Sequence, residues 1–164
     1  MIISAGVITV SDKGSRGERE DKSGMEVINL LKGIGADIVQ TAIIPDEVDQ
    51  IKKTLVEYAD IRNLDLIITT GGTGVSPRDV TPDATLAIID KEVPGMAEAM
   101  RRESAAITPH AMISRAVAGI RGRSLIINLP GSPKGVRENL AVILPALKHA
   151  VEKIKGDSAE CASL

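Results

Sequence analysis

The stretch LDLIITTGGTGVSPRDVTP, residues 64–82, decides the fold. Residues 64–70 are almost all apolar, which is typical of a β-strand that helices cover on both faces. The chain then enters a glycine loop, residues 71–74, and reaches a Thr-Pro-Asp sequence that predicts a helix start with Thr81 as its capping residue. A buried strand, a glycine loop and a helix in this order predict an α/β fold.

Strand-like and helix-like segments alternate on both sides of this unit. The predicted strands are residues 2–10, 36–44, 64–70, 117–120 and 124–129, and the predicted helices contain Val27, Val48, Pro82, Pro94, Pro109 and Leu140. Residues 13–20 read as an exposed loop, and the last helix stays in phase through Pro145. The last two strands flank an Arg-Gly-Arg turn, so we expect them to form an antiparallel hairpin.

These elements predict a three-layer α/β/α fold with a mainly parallel, mixed central sheet. Residues 1–155 form one domain in this prediction, and residues 156–164 form a polar, flexible tail. Ligands of such sheets bind beyond the carboxyl ends of the strands. We therefore expect three loops, residues 11–21, 71–80 and 130–135, to converge on a binding site.

The composition disfavours several classes of function. The 20 Lys and Arg residues and 22 Asp and Glu residues give a net charge of −2, which argues against a nucleic-acid partner. The chain has no Trp or Phe, so it lacks the aromatic platforms of single-strand binders. A single cysteine, Cys161, gives no basis for disulfides or a Cys-based zinc site, and no apolar run reaches bilayer length. We expect a protein of the reducing cytoplasm that neither is exported nor spans a membrane.

The glycine loop is the first candidate site. Gly71, Gly72 and Gly74 allow a sharp turn that presents several N–H groups inward, and the Thr73 hydroxyl is a further donor. This tetrapeptide alone fits a phosphate cradle and a ligand-free tight turn equally well.

The residues that follow favour the phosphate cradle. Arg78 and Asp79 place a permanent cation and a carboxylate beside the loop. A carboxylate would repel phosphate unless a cation intervened, so we expect Mg²⁺ to bridge Asp79 and phosphate oxygens. A solvated salt bridge or a helix-end charge is the alternative interpretation.

Other polar positions also have structural interpretations. Asp46 precedes a helical pattern and is interpreted as its N-cap. Ser132 lies in a Pro-Gly-Ser-Pro turn at a helix start, and that helix N-terminus can also receive a phosphate. His110 and His149 have no metal-binding spacing and are interpreted as helix residues. The glycine loop matches neither the P-loop nor the dinucleotide-binding pattern.

Taken in order, these motifs resemble those of the molybdopterin adenylyltransferases, over about residues 7–155. The resemblance rests on Ser11-Asp12, Pro45-Asp46-Glu47, the glycine loop with Arg78-Asp79-Val80-Thr81-Pro82, Pro94-Gly95-Met96, Ser104, Thr108-Pro109, Ser114-Arg115 and Pro130-Gly131-Ser132-Pro133. Such a series of spaced motifs is more specific than any one of them.

The resemblance implies an enzyme that transfers AMP from Mg²⁺-ATP to the molybdopterin phosphate and releases pyrophosphate, before molybdate insertion. It implies that Asp46 and Asp79 are the two essential acidic residues and candidate Mg²⁺ ligands. The other implied substrate- or nucleotide-binding residues are Ser11, Asp12, Gly71, Gly72, Thr73, Gly74, Arg78, Ser104, Ser114, Gly131 and Ser132, of which the serines at 104 and 114 match pterin-binding positions. It also implies a homotrimer or hexamer and contact with a molybdenum insertase.

Proteins of this fold without the activity leave two alternatives open. One is a non-catalytic molybdopterin-binding or carrier trimer, since B-type relatives can lack adenylyltransferase activity. The other is an unrelated nucleotide-sugar or coenzyme hydrolase. Asp46, Arg78 and Asp79 favour the active enzyme, and the lack of additional domains in the sequence disfavours an insertase or a scaffold protein.

Overall fold

Six strands form one mixed sheet in the computed structural model, which describes residues 1–156. The strands are β1 (Ser4–Val10), β2 (Asp37–Ile44), β3 (Leu66–Thr70), β4 (Lys91–Glu92), β5 (Ala118–Arg121) and β6 (Ser124–Leu129). Their order across the sheet is β2-β1-β3-β6-β5-β4. The first four in this order run parallel, whereas β5 is antiparallel to both of its neighbours. The mainly parallel sheet and its antiparallel hairpin are therefore confirmed.

Within residues 1–156, six α-helices, one π-helical turn and one 3₁₀ turn connect the strands. The α-helices are α1 (Asp12–Ser15), α2 (Lys22–Gly33), α3 (Val48–Val56), α4 (Thr81–Leu86), α5 (Pro94–Ala105) and α6 (Pro133–Ile154). A π-helical turn, Glu57–Ile61, continues α3, and a 3₁₀ turn, Pro109–Ile113, follows α5. The last helix runs through Pro145 and buries one apolar stripe, as its periodicity predicts.

Helices cover both faces of the sheet. On one face α2, α5 and α6 pack against alternate strand residues such as Val7 and Ile68. On the other face α3 and α4 pack against Ile8 and Ile67. All five residues of β3 are buried, because this strand lies in the middle of the sheet. The predicted three-layer architecture is confirmed.

Three local predictions are wrong. Residues 13–20 are not wholly loop, because Ser11 caps the short helix α1 by accepting a hydrogen bond from the Gly14 N–H. Thr81 does not cap α4; its hydroxyl donates to the Gly71 carbonyl oxygen instead, at 2.9 Å. Asp46 does not cap α3, whose N-cap is Glu47, because the Asp46 side chain bonds to the α1 segment.

The predicted tail is residues 156–164, and its residues 157–164, which include Cys161, lie outside the described residues. Within residues 1–156, no helix combines the length and the apolar character needed to cross a lipid bilayer.

Candidate functional site

The glycine loop leaves β3 in a conformation that only glycine adopts without strain. Gly71 has φ +101° and Gly72 has φ +65°. A Cβ at Gly71 would clash with the Val10 carbonyl oxygen, and one at Gly72 would clash with the Thr81 hydroxyl. The Gly71 N–H donates to the Leu129 carbonyl oxygen at 3.0 Å. The loop is therefore held tightly against the ends of β1 and β6.

The larger of two clefts beside this loop has a volume of about 650 Å³ and lies at the carboxyl ends of β1, β3 and β6. We call it the acidic cleft. Its predicted lining residues are Ser11, Asp46, Gly71, Gly72, Asp79, Gly131 and Ser132. The expected convergence of the three loops is confirmed here, as the topology of a parallel sheet requires.

A second cleft of about 350 Å³ lies on the other side of the glycine loop. We call it the serine cleft, and its predicted lining residues are Thr73, Gly74, Ser104, Ser114 and Ser132. Ser104 is buried, and its hydroxyl has no hydrogen-bond partner within residues 1–156. An unpaired buried hydroxyl is costly, so Ser104 is a candidate for a hydrogen bond to a ligand in this cleft.

Asp46 and the first residue of α1 hold each other through a reciprocal pair of hydrogen bonds. The Asp12 N–H donates to Oδ2 of Asp46 at 2.9 Å, and the Asp46 N–H donates to Oδ1 of Asp12 at 3.0 Å. This pairing joins two segments that are 34 residues apart, and it fixes the Asp46 carboxylate at the wall of the acidic cleft.

Arg78 does not face the acidic cleft, where the sequence predicts a cation beside phosphate, but bonds to acidic side chains outside it. Its guanidinium donates to both carboxylate oxygens of Asp12, at 3.1 and 2.9 Å, and to Glu47 at 2.9 Å. The hydrogen bond from Arg78 holds the pKa of Asp12 below its ordinary value. Neither Asp12 nor Arg78 lines the acidic cleft. Asp12 bonds directly to Asp46, and Arg78 holds Asp12 in the position where it does so.

Asp46 and Asp79 have different environments in the acidic cleft, which Glu20 and Asp21 also line. Burial, together with the negative charges of Asp12 and Asp79, raises the pKa of Asp46, although the Asp12 N–H and the positive charge of Arg78 oppose this shift. The Asp79 carboxylate accepts a hydrogen bond from the Ser76 N–H at 2.9 Å, which closes a tight turn. A Cβ at Gly74 would lie 2.7 Å from Oδ2 of Asp79, so the turn also depends on that glycine.

Asp46 and Asp79 fit the chemistry of a Mg²⁺ site that is completed by substrate. Within residues 1–156, no group of three or more His, Cys, Asp or Glu side chains is arranged to hold a metal. Mg²⁺ commonly takes only one or two carboxylates and completes its shell with water and substrate phosphates. Asp46 and Asp79 line the same cleft, and burial and neighbouring negative charge raise the pKa of Asp46, so this pair matches that requirement.

Several cleft residues escape prediction from the sequence. Arg19 and Lys22 line the acidic cleft, and Arg101, Lys134 and Asn139 line the serine cleft. Lys134 follows the Ser-Pro helix start directly, which is a signal that could have found it. The other four are solvent-facing or helix residues with no motif of their own, so only the fold brings them to the clefts.

Comparison with known families gives one match over most of the chain. Residues 6–149 match the family described as "Probable molybdopterin binding domain". This range contains every residue that we place at the two clefts.

Individual relatives agree with this match. The molybdopterin adenylyltransferase of Helicobacter pylori (strain J99) is 43% identical, over 94% of this chain and 89% of its own length. Gephyrin of Dictyostelium discoideum is also 43% identical, over 89% of this chain, but the match spans only 22% of the gephyrin. The solved structure of the molybdopterin biosynthesis enzyme MoaB from Thermus thermophilus is 50% identical, with a TM-score of 0.90 over 95% of this chain and 98% of its own.

Proposed function

The chain belongs to the family of molybdopterin-binding domains, and on this premise we propose that it is a molybdopterin adenylyltransferase. In this proposal it transfers AMP from Mg²⁺-ATP to the terminal phosphate of molybdopterin and releases pyrophosphate. Relatives that are named molybdopterin adenylyltransferase support a role in molybdenum cofactor biosynthesis.

The strongest structural support for two substrates is the position of the glycine loop. A single glycine loop separates two clefts, with Gly71 and Gly72 facing the acidic cleft and Thr73 and Gly74 facing the serine cleft. We assign the nucleotide phosphates to the acidic cleft, because only that cleft carries Asp46 and Asp79. We assign the pterin to the serine cleft, where Ser104 offers a hydroxyl with no protein partner.

The reaction joins the two ligands across the loop. An oxygen of the molybdopterin phosphate attacks the α-phosphorus of ATP, a new P–O bond forms, and the bond from the α-phosphorus to the bridging oxygen breaks. Both bonding electrons leave with pyrophosphate. No covalent intermediate with the protein is needed, so the protein acts by positioning and by neutralising charge.

The loop backbone can contribute directly to this charge neutralisation. The N–H groups of Gly72, Thr73 and Gly74 donate to no acceptor within residues 1–156, so they are available to phosphate oxygens. Asp46 and Asp79 would hold Mg²⁺, which supplies positive charge to the phosphates when it is bound. Asp12 keeps Asp46 in place, because it bonds to both the backbone and the carboxylate of Asp46, and Arg78 in turn holds the Asp12 carboxylate.

We propose a cytoplasmic protein that assembles as a homotrimer or a hexamer and contacts a molybdenum insertase. Gephyrin supports a link to larger proteins, because it carries a domain like this one within a much longer chain.

The direct test is adenylyl transfer by the purified protein. Molybdopterin and Mg²⁺-ATP are supplied together, and adenylylated molybdopterin and pyrophosphate are measured in equal amounts. We expect Asp79→Asn to lower turnover by about 100-fold or more, because it removes a carboxylate from the phosphate site. Asp49→Asn is the matched control, since Asp49 is exposed on α3 and lines neither cleft.

Each outcome of this test has a defined meaning. Turnover that depends on Asp79 and not on Asp49 supports the enzyme. Molybdopterin binding without any product supports the carrier trimer instead. Pyrophosphate release without molybdopterin supports a hydrolase.

A further inference from the structure

Arg115 links the segment that carries Ser114 to the loop that carries Asp79. It directly follows Ser114 in the chain, and its side chain lines neither the acidic nor the serine cleft. None of the roles described above uses it. Its contacts are nevertheless concentrated on the glycine loop and on the helix that follows.

The Arg115 guanidinium bonds to three separate parts of this region. Nε donates to the Gly74 carbonyl oxygen at 2.9 Å, and Nη2 donates to the Asp79 carbonyl oxygen. The guanidinium also forms a bidentate ion pair with the Asp83 carboxylate, from Nη1 at 3.1 Å and from Nη2 at 3.0 Å. The guanidinium therefore spans the loop from its glycine end to the first turn of α4.

The backbone of Arg115 adds a further bond to the same loop. Its N–H donates to the Thr73 carbonyl oxygen at 2.8 Å. All of these acceptors lie within residues 73–83, so one residue fixes both ends of the exposed stretch 75–78. Within this stretch Arg78 bonds to Asp12 and Glu47, and the Ser76 N–H bonds to Asp79. The stretch is exposed, so its order also depends on what holds its two ends.

The geometry requires arginine. A planar guanidinium presents several N–H donors in fixed directions, whereas an ammonium group is a single point charge on a flexible stem. Lysine could pair with Asp83, but its single nitrogen with three donors could not reproduce these four bonds, which come from three different nitrogens. The charge alone would not reproduce the arrangement.

We propose that Arg115 is a positioning residue for adenylyl transfer, which it serves by clamping residues 73–80 so that the loop backbone and Asp79 keep their places between the two clefts. This inference rests on the proposed function. Arg115 does not touch the reacting atoms, so it acts through the loop. It also ties the Ser114 side of the serine cleft to the Asp79 side of the acidic cleft.

Arg121 provides a matched control for the test. It lies at the opposite end of β5, and its guanidinium forms a comparable ion pair with Asp60 and donates to the Ile88 carbonyl oxygen at 2.7 Å. Arg115→Ala and Arg121→Ala therefore remove the same kind of side chain and the same kind of bonds. Only the first is next to the glycine loop.

The experiment compares amide hydrogen exchange and steady-state kinetics in the two variants. In Arg115→Ala we expect exchange over residues 72–80 to be faster by about tenfold, with β1 and β3 unchanged. We expect kcat to fall by about 100-fold while both KM values change by about threefold or less, because misplacement affects the chemical step more than binding. In Arg121→Ala the loop exchange and kcat should match those of the unaltered protein.

A conservative variant keeps the test decisive. Arg115→Lys should fold, and we expect it to resemble Arg115→Ala in loop exchange and in kcat. Full recovery in Arg115→Lys would overturn the clamp, because charge alone would then be sufficient. Equal loop exchange in the Arg115 and Arg121 variants would also overturn it.

Failure of the clamp and failure of the proposed function look different. If the unaltered protein makes no adenylylated product, the proposed function is wrong. The exchange comparison needs no substrate, so it still supports or refutes the clamp in that case.

Discussion

Asp46 follows the carboxyl end of β2, whereas Asp65 precedes the amino end of β3, and the two carboxylates have opposite environments. Asp65 is 8% exposed; it accepts hydrogen bonds from the N–H and hydroxyl of Ser4 and pairs with Lys155 at 2.7 Å. Burial raises the pKa of Asp65, but Lys155 and Ser4 outweigh burial and lower it. Asp46 has no ion pair within residues 1–156, and burial together with nearby carboxylates raises its pKa.

The difference shows how one fold separates stability from function. Near the amino end of β3, a buried charge is fully paired and contributes to stability. At the carboxyl ends of the strands, the Asp46 carboxylate has no ion pair of its own within residues 1–156, and the glycine loop holds left-handed backbone. Unfavourable features of this kind concentrate at functional sites, so the comparison supports the candidate site independently of any motif.

The largest effect should come from the strained loop. Gly72→Ala forces a side chain into a left-handed position and against Thr81, so we expect a loss of about 2–4 kcal/mol of unfolding free energy. Gly35→Ala is the control, because Gly35 also has positive φ, at +77°, but a Cβ there meets nothing within 4 Å. We expect it to cost only about 1 kcal/mol. Denaturant unfolding measures both, and equal losses would contradict the crowding at Gly72.

The amino-end ion pair should give the next largest effect. Asp65→Asn leaves Lys155 without its partner, and we expect a loss of about 1–2 kcal/mol at neutral pH with adenylyl transfer unchanged. Because the folded pKa of Asp65 is lowered, its stabilisation exists above its ordinary pKa of about 3.9 and is lost as pH falls through the folded value. The difference between variant and parent should therefore vanish in acid. A difference that is constant with pH would contradict this account.

Asp46→Asn should give the smallest change in stability, and one of opposite sign. A raised carboxyl pKa penalises the folded state above the folded pKa and has no effect below the ordinary value of about 3.9. Asparagine removes the charge and can still accept a hydrogen bond from the Asp12 N–H. We therefore expect the unfolding temperature at neutral pH to rise by about 1–3 °C. A fall in the unfolding temperature would show that the charge of Asp46 is stabilising.

The fold was predictable wherever local pattern decides it. The apolar run before the glycine loop and the periodicity of the last helix correctly predict β3 and α6, because both depend on burial alone. Asp46 was wrongly interpreted as a helix cap, since the sequence around it does not show that Asp12 lies within hydrogen-bond distance.

The location of the candidate site was predictable from the sequence, but its division into two clefts was not. Motifs point to the glycine loop, and the resemblance adds Ser104 and Ser114. No local signal separates two clefts or assigns Arg115 to the loop, because its contacts with Gly74 and Asp79 span 41 and 36 residues of sequence. Long-range hydrogen bonds of this kind produce no periodic pattern in the sequence.

The most direct test of the central claim is the binding of each substrate to each cleft. Molybdopterin and a non-reacting Mg²⁺-ATP analogue are titrated separately into Ser104→Ala and Asp79→Asn. We expect Ser104→Ala to weaken only molybdopterin and Asp79→Asn to weaken only the nucleotide, each by about tenfold. If both variants weakened the same ligand, or if each weakened the ligand assigned to the other cleft, the assignment of two substrates to two clefts would be wrong.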